Sequence, residues 1–194
     1  MKFNCLWRVL LAIFPLDIVS ADDPLAGVTQ GYFDGKRPFD AVELVGERGH
    51  ILIPESGKIE SQWVFKAGVL TASPKWDSLV TPDHYQDFRM HVEFNVNSVV
   101  DVDPEKNGNS GIYIQKRYEL QILNSHGVSE GDYKASYAGS LYRQKKPDKL
   151  VSRPAGEWQS YDIVFRAARF KDGKRTENAR ISVQQNGVLI HDDR

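Results

Sequence analysis

Glu119 stands between an arginine and a glutamine that share its side of a short apolar run. Side chains of a strand alternate between two faces, so Arg117, Glu119 and Gln121 lie on one face of the run 118–123 and apolar residues on the other. A carboxylate with a cation and an amide beside it is suited to proton transfer on a polar substrate. An ion pair with Arg117 or Arg89 is the alternative role for Glu119, because ion-pair networks produce the same pattern.

A second run repeats this alternation. In residues 87–97, His91 and Glu93 share one face with Arg89, and apolar residues occupy the other. Glu93 and Glu119 are the two in-strand carboxylates that one cleft could bring together, and glycoside cleavage commonly uses such a pair. Antiparallel sheets often have one solvated face, so a plain wet surface explains the alternation equally well.

Aromatic residues supply candidate platforms for sugar rings. Tyrosine suits this role because it joins an apolar ring to a polar tip, and Tyr137 and Tyr142 lie in a long Gly/Ser/Tyr-rich connection. Trp76 lies in a polar loop and is the tryptophan predicted to contact sugar, whereas Trp63 and Trp158 are expected to pack in the core.

Short β-rich runs separated by turn residues predict an antiparallel sandwich, with no segment of helical periodicity. Asn186-Gly187 is the strongest hairpin signal and predicts a type I′ turn. The predicted strands are Ile51–Ile53, Gln62–Lys66, Val69–Ala72, Asp87–Asn97, Gly111–Gln115, Tyr118–Leu123, Trp158–Ala167, Ala179–Gln185 and Val188–His191.

The chain resembles the 3-keto-disaccharide hydrolase family through a series of motifs in a specific order. The resemblance implies an all-β, concanavalin A-like jelly-roll sandwich over residues 31–194. The motifs are Phe33-Asp34-Gly35-Lys36, Trp63 with Gly68–Thr71, Asp87-Phe88, Asn109-Ser110-Gly111, Tyr118–Leu123, Tyr137–Tyr142 and Pro154–Asp162.

The resemblance also implies a substrate with a ketone at C3 of the sugar. Such a ketone acidifies the C2 proton, so one base can remove it and expel the C1 substituent, after which water adds. The resemblance favours Glu119 as that base, with Glu93 as the second carboxylate and His91 or Tyr142 as the proton donor. The expected contacts with the sugar come from Asn109, Ser110, Arg117, Gln121, Tyr137, Tyr142 and Trp76.

Two other functions remain open at this point. A jelly-roll glucanase would show further carboxylates after Glu119, but the run reads Glu119-Leu-Gln121-Ile-Leu-Asn124, so the ordinary retaining mechanism is unsupported. A non-catalytic carbohydrate-binding module of the same fold is the main alternative, because a fold does not determine a function. A scaffold domain whose polar face is only solvated is the third interpretation.

Composition and net charge limit the classes of binding partner that the chain is expected to have. The chain has 194 residues, enough for one sandwich domain, with 25 Lys and Arg against 26 Asp and Glu. This balance does not favour a nucleic-acid or membrane-surface partner, so a small carbohydrate is the expected one. The five histidines lack the spacing of a zinc motif, and no cofactor is predicted. Acidic residues in 101–108 could bind calcium, but a solvated hairpin tip is favoured there because calcium geometry is demanding.

The N-terminus has the pattern of an export signal. Lys2 and Arg8 give a positive start, an apolar stretch follows, and Val19-Ser20-Ala21 resembles a cleavage site. Residues 1–21 are therefore predicted to be a signal peptide and 22–30 a linker, giving a secreted or periplasmic protein. The only cysteine, Cys5, lies in the leader, so the mature protein would lack disulfides and thiolate metal sites.

Cleavage after Ala21 is expected, because small residues occupy the two positions that signal peptidase reads. The intact mass of the exported protein checks this. A mass that still includes residues 1–21 would show that the segment is retained.

The C-terminal sequence raises a further expectation. Members of the resembled family usually continue through a Leu-Gln-Asp-His-Gly segment to a last strand, whereas this chain ends at His191-Asp-Asp-Arg194. The sequence interpretation is a sandwich that lacks its last strand, with an exposed backbone edge.

Overall fold

The computed structural model describes residues 5–8, 41–57, 63–72, 77–96 and 108–194. These residues form strands joined by turns and loops, with no helix among them. The strands are β1 (Cys5–Arg8), β2 (Val45–Gly46), β3 (Gly49–His50), β4 (Ile53–Pro54), β5 (Val64–Lys66), β6 (Val69–Ala72), β7 (Leu79–Val80), β8 (Phe88–Val96), β9 (Ser110–Ile114), β10 (Tyr118–Ile122), β11 (Trp158–Arg166), β12 (Arg169–Lys171), β13 (Lys174–Glu177), β14 (Arg180–Gln185) and β15 (Val188–His191).

The main layer is a seven-stranded antiparallel sheet in the order β15-β14-β11-β8-β1-β6-β5. Its longest strands, β8 and β11, have nine residues each and pair along most of their length. Alternate residues of both strands form one largely apolar face. That face comprises Phe88, Val92, Phe94, Tyr161, Ile163 and Phe165, all buried.

The β9–β10 hairpin covers this apolar face and makes the second layer. Leu120 and Ile122 of β10 are 0% exposed and belong to the same core as Phe94. The Tyr161 hydroxyl donates a hydrogen bond across the two layers to the Gln121 carbonyl, at 2.8 Å. The antiparallel all-β sandwich predicted from the sequence is therefore confirmed.

The segment 139–142 extends the second layer by running along the outer edge of β10. Gln121 donates its backbone N–H to Ser140, and Tyr142 donates its own to Glu119 at 2.9 Å. Leu141 lies opposite Leu120 in an isolated bridge. A small second core beneath residues 125–138 contains Leu123, Tyr133, Tyr137 and Ala138.

The Asn186-Gly187 turn between β14 and β15 has the predicted conformation. Asn186 has φ 53° and Gly187 has φ 79°, which is the pair of positive angles that a type I′ turn requires. The Asn186 side chain accepts a hydrogen bond from Ser160 N at 3.0 Å and donates one to the Val151 carbonyl at 2.8 Å. The turn therefore also ties the connection before β11 to the sheet.

The two tryptophans assigned to the core differ in the structure. Trp63 is half-buried against the core and donates its indole N–H to the Asp77 carbonyl at 2.7 Å. Trp158 is 36% exposed, so the prediction that it packs in the core is wrong. It begins β11 in register with Asn95, on the face of the sheet that points away from the hairpin.

Strand β1 lies inside the segment that the sequence assigns to an export signal. It pairs antiparallel with β6 on one side and with β8 on the other. Cleavage after Ala21 stays a prediction.

Residues 101–107 and Trp76 lie outside the described residues, so the hypotheses of a calcium site and of a tryptophan that contacts sugar stay predictions too. Among the described residues there is no helix long and apolar enough to cross a membrane.

Candidate active site

Three side chains form a row across the outer face of the second layer. Glu119 on β10 lies directly opposite Tyr113 on β9, and Tyr142 binds the backbone of Glu119 from the other side. The row is on the outer face because the next residue, Leu120, and its bridge partner, Leu141, point into the core. Glu119 is half-buried, whereas Tyr113 is 64% exposed. The structure thus places one carboxylate between two phenols at the protein surface.

Gly111 leaves the space that the Glu119 side chain occupies. Gly111 is two residues before Tyr113 on the same face of β9, and the Glu119 side chain lies over its Cα. A Cβ on residue 111 would overlap Glu119 Oε1 and stand 2.9 Å from its Cγ, closer than real Cβ contacts come. The absence of a side chain at this position is therefore what lets the carboxylate rest against the sheet.

The surroundings of Glu119 favour a proton acceptor. Burial raises the pKa of the Glu119 carboxyl above its ordinary value, and a hydrogen bond from the Tyr113 hydroxyl lowers it in part. None of the salt bridges among the described residues includes Glu119, so the alternative role as an ion-pair partner of Arg117 or Arg89 is not observed. A carboxylate with a raised pKa is a stronger base than an ordinary surface one.

The two phenols differ in their environment. Partial burial raises the pKa of Tyr113 to about 12, with further contributions from its hydrogen bond to Glu119 and the charge there. Tyr113 therefore remains protonated at neutral pH and holds the carboxylate as a donor. Tyr142 has a cation beside it, since the Arg143 guanidinium carbon stands 5.1 Å from the centre of its ring.

The loop 125–138 closes one end of this face, and it buries two of the residues predicted to contact sugar. Gln121 is 2% exposed, and its amide nitrogen donates to the Ser136 carbonyl at 3.1 Å. Tyr137 is buried in the small second core, edge-on to Tyr133 with ring centres 5.3 Å apart. These side chains hold the loop against the sheet, so their burial does not favour the substrate contacts predicted for them, which stay predictions.

His91 and Glu93 lie on the other side of the molecule from Glu119. They alternate with Met90, Val92 and Phe94, whose side chains face the hairpin, so they point away from it. His91 Nδ1 lies 2.6 Å from Asp162 Oδ1, on the neighbouring strand β11. The prediction that His91 and Glu93 share a cleft with Glu119 is therefore wrong, because the apolar core separates them.

The other predicted contacts are spread along the hairpin. Arg117 is exposed in the turn that precedes β10. Ser110 shares the core-directed face of β9 with Ile112 and Ile114, on the opposite side of the hairpin from the Glu119 side chain, so this position does not favour its predicted substrate contact, which stays a prediction. Asn109 is exposed four positions before Tyr113, about 13 Å away at the rise of a strand. Only Tyr142, of the predicted sugar contacts that the structure describes, stands beside Glu119.

The sequence analysis did not identify Gly111 and Tyr113 as site residues. They lie opposite Gln121 and Glu119 because the hairpin pairs Tyr118 with Ile114, and the sequence alone does not determine this register. A search of the described residues for groups of three or more His, Cys, Asp and Glu placed to hold a metal ion finds none.

Comparisons with known proteins identify a family. The sequence profile of the 3-keto-alpha-glucoside-1,2-lyase-like domain matches residues 49–194, a range that contains the whole Tyr113–Glu119–Tyr142 row. A search of curated proteins returns no match.

Two crystal structures from Parabacteroides distasonis ATCC 8503, each described as a candidate glycosyl hydrolase, are similar to the chain. The first superposes with a TM-score of 0.74 and 31% identity over 81% of this chain and 66% of that one. The second has a TM-score of 0.44 and 19% identity over 66% of this chain and 60% of that one. The chain thus spans just under two thirds of the length of the first structure. Since the profile covers most of its sequence, the chain belongs to the 3-keto-alpha-glucoside-1,2-lyase-like domain family.

Proposed function

We propose that this protein is an exported enzyme that cleaves 3-keto glycosides, with Glu119 as the base that removes the C2 proton. The observation that carries the proposal is the environment of Glu119: a half-buried carboxylate of raised pKa, held by Tyr113 and without an ion-pair partner among the described residues. Family membership supports the 3-keto sugar as substrate. A 3-keto disaccharide is the specific substrate class.

The cleavage follows from one base and one donor. Glu119 takes the C2 proton, and the C–H electron pair forms a double bond to C1 as the bond from C1 to the leaving oxygen breaks. Tyr142 gives its proton to that oxygen, and Arg143 beside it stabilises negative charge on the C3 oxygen. Water then adds across the double bond: the Tyr142 phenolate takes one proton of the water, the remaining hydroxyl bonds to C1, and Glu119 returns its proton to C2.

This route explains why one carboxylate is enough. The ordinary retaining mechanism needs two carboxyl groups about 5 Å apart across the scissile bond. Glu119 has no second carboxylate in its row, and Glu93 lies beyond the core. A proton removed from carbon needs only one base, provided that the neighbouring ketone takes up the charge.

The experiment compares 3-keto-trehalose with trehalose and measures the release of glucose. We expect release from the keto sugar alone, and slower release when C2 carries deuterium, because the C2–H bond breaks. Release from both sugars with no isotope effect would indicate ordinary hydrolysis. A non-catalytic carbohydrate-binding module, the second candidate, would bind without releasing glucose.

Replacing Tyr113 by phenylalanine should move the acid limb of the pH–rate profile to higher pH. The hydrogen bond from Tyr113 favours the ionised carboxylate, so its loss lets burial raise the Glu119 pKa further. Glu119 must be ionised to accept a proton, so activity on the acid side falls. The measurement is kcat/KM against pH.

Tyr118→Phe is the matched control for that experiment. Tyr118 is on the same strand but faces the core, with its ring centre 5.9 Å from that of Phe165. We expect the acid limb of the pH–rate profile of Tyr118→Phe to stay at the wild-type pH. Equal shifts in both variants, or none in Tyr113→Phe, would mean that Tyr113 does not govern the base.

A further inference from the structure

Strand β1 fills a gap in the middle of the main sheet. Four consecutive residues of β1 pair with β8, and three of these also pair with β6. The register is Cys5 with Ala72 and Val96, Leu6 with Thr71 and Asn95, Trp7 with Leu70 and Phe94, and Arg8 with Glu93.

The gap cannot close without β1. Neighbouring strands stand about 4.8 Å apart, so β6 and β8 are separated by about 10 Å, twice the distance at which they could pair. Without β1, the sheet divides into β15-β14-β11-β8 and β6-β5. The facing edges would then carry unpaired backbone groups beside Leu70, Phe94 and Val96, each 0% exposed. Such edges readily accept another strand.

We propose that the gap between β6 and β8 is an acceptor site for an added β-strand. Cys5–Arg8 occupies it while the N-terminal segment is attached, and an extended peptide of the same pattern occupies it once that segment is removed. Binding of another peptide depends on cleavage after Ala21, whereas the existence of the acceptor site does not. Neither statement depends on the proposed catalytic activity.

The two edges define the chemistry of the peptide that fits. It runs antiparallel to both neighbours and has apolar residues at the positions in register with Val96 and Phe94, since both are core residues. The position between them lies opposite Thr71 and the buried Asn95, both polar, so it does not require an apolar side chain. A cationic residue suits the last position, which lies opposite Glu93, because opposite charges in cross-strand pairs are favourable. Backbone hydrogen bonds would provide the affinity and these side-chain positions the selectivity.

The test begins with the full chain carrying a protease site after Ala21. The protein is folded first and then cut, so folding does not depend on the missing strand. We expect the fragment of residues 1–21 to elute with the domain in size-exclusion chromatography. If it dissociates, we expect a lower Tm that rises again when a peptide of residues 2–8 is added, with the logarithm of peptide concentration above its Kd.

Two substitutions in the uncut chain give a matched comparison. Trp7→Asp puts a carboxylate in register with the fully buried Leu70 and Phe94, and should lower the Tm by roughly 5 to 10 °C. Leu6→Asp stands in register with Thr71 and Asn95, and should lower it much less.

The proposal is overturned if the fragment dissociates with no change in Tm, or if both substitutions lower the Tm equally. Aggregation after cutting supports an open acceptor site when the peptide of residues 2–8 prevents it. Aggregation that the peptide does not prevent counts against the site.

Discussion

Glu119→Gln should abolish cleavage of a 3-keto disaccharide while leaving its binding nearly unchanged. The amide has almost the same shape as the carboxylate but cannot accept a proton from carbon, and losing a general base costs about two to four orders of magnitude in rate. Tyr113 can still donate its hydroxyl to the amide oxygen, so the row should keep its geometry. The measurements are single-turnover rates and calorimetric affinity for the same sugar.

Glu93→Gln is the matched control, because the sequence ranks Glu93 with Glu119 and the structure places it beyond the core. We expect this variant to keep near-wild-type turnover. If Glu119→Gln retains more than about a tenth of the activity, Glu119 is not the base. A loss of turnover in Glu93→Gln alone would place the chemistry on the outer face of the main sheet.

Gly111→Ala should lower turnover sharply with little effect on stability. The added methyl group would occupy the space of the Glu119 side chain, so the carboxylate must move. A displacement of about 1 Å at a reacting group can cost about a hundredfold in rate. The backbone should tolerate alanine, since Gly111 is not among the glycines with positive φ and the side chain that it meets is flexible. Kinetics and thermal melting of the same sample separate the two effects.

Gly49→Ala provides the comparison for that variant. Gly49 also lies in a strand without a positive φ, and a methyl group there would meet nothing within 4 Å. We expect wild-type kinetics and a Tm within a few degrees of wild type. A Gly111→Ala enzyme with full activity would show that the carboxylate does not need its present position.

The sequence predicts the long strands well because their apolar residues alternate over many positions. The predicted range Asp87–Asn97 differs from β8 by one residue at each end, and Trp158–Ala167 differs from β11 by one residue at its C-terminal end. Strands of two residues, such as β2 and β3, are too short to show a period. The β12–β13 hairpin was missed because it is exposed and mostly charged, so it has no apolar face to reveal it.

The candidate site shows what the alternation of apolar and polar residues along a strand cannot predict. Alternation correctly gives the face of its own strand on which Glu119 or His91 lies. It does not show which layer of the sandwich each strand joins, so it could not separate Glu119 from His91 and Glu93. It also cannot show that residues 125–138 fold over Gln121, since that contact joins the Gln121 amide to a backbone carbonyl of a loop.

All the residues of the row come from one continuous stretch, Ser110 to Tyr142, although strands β9 and β10 and the segment 139–142 each provide one of them. The main sheet supports this stretch from below through core contacts and the Tyr161 hydroxyl. If the chemistry lies in this row, substitutions within this stretch of the gene can alter the site without changing the strands that support it. The same division makes the stretch a natural unit for exchange between related domains, because fold and chemistry can vary separately.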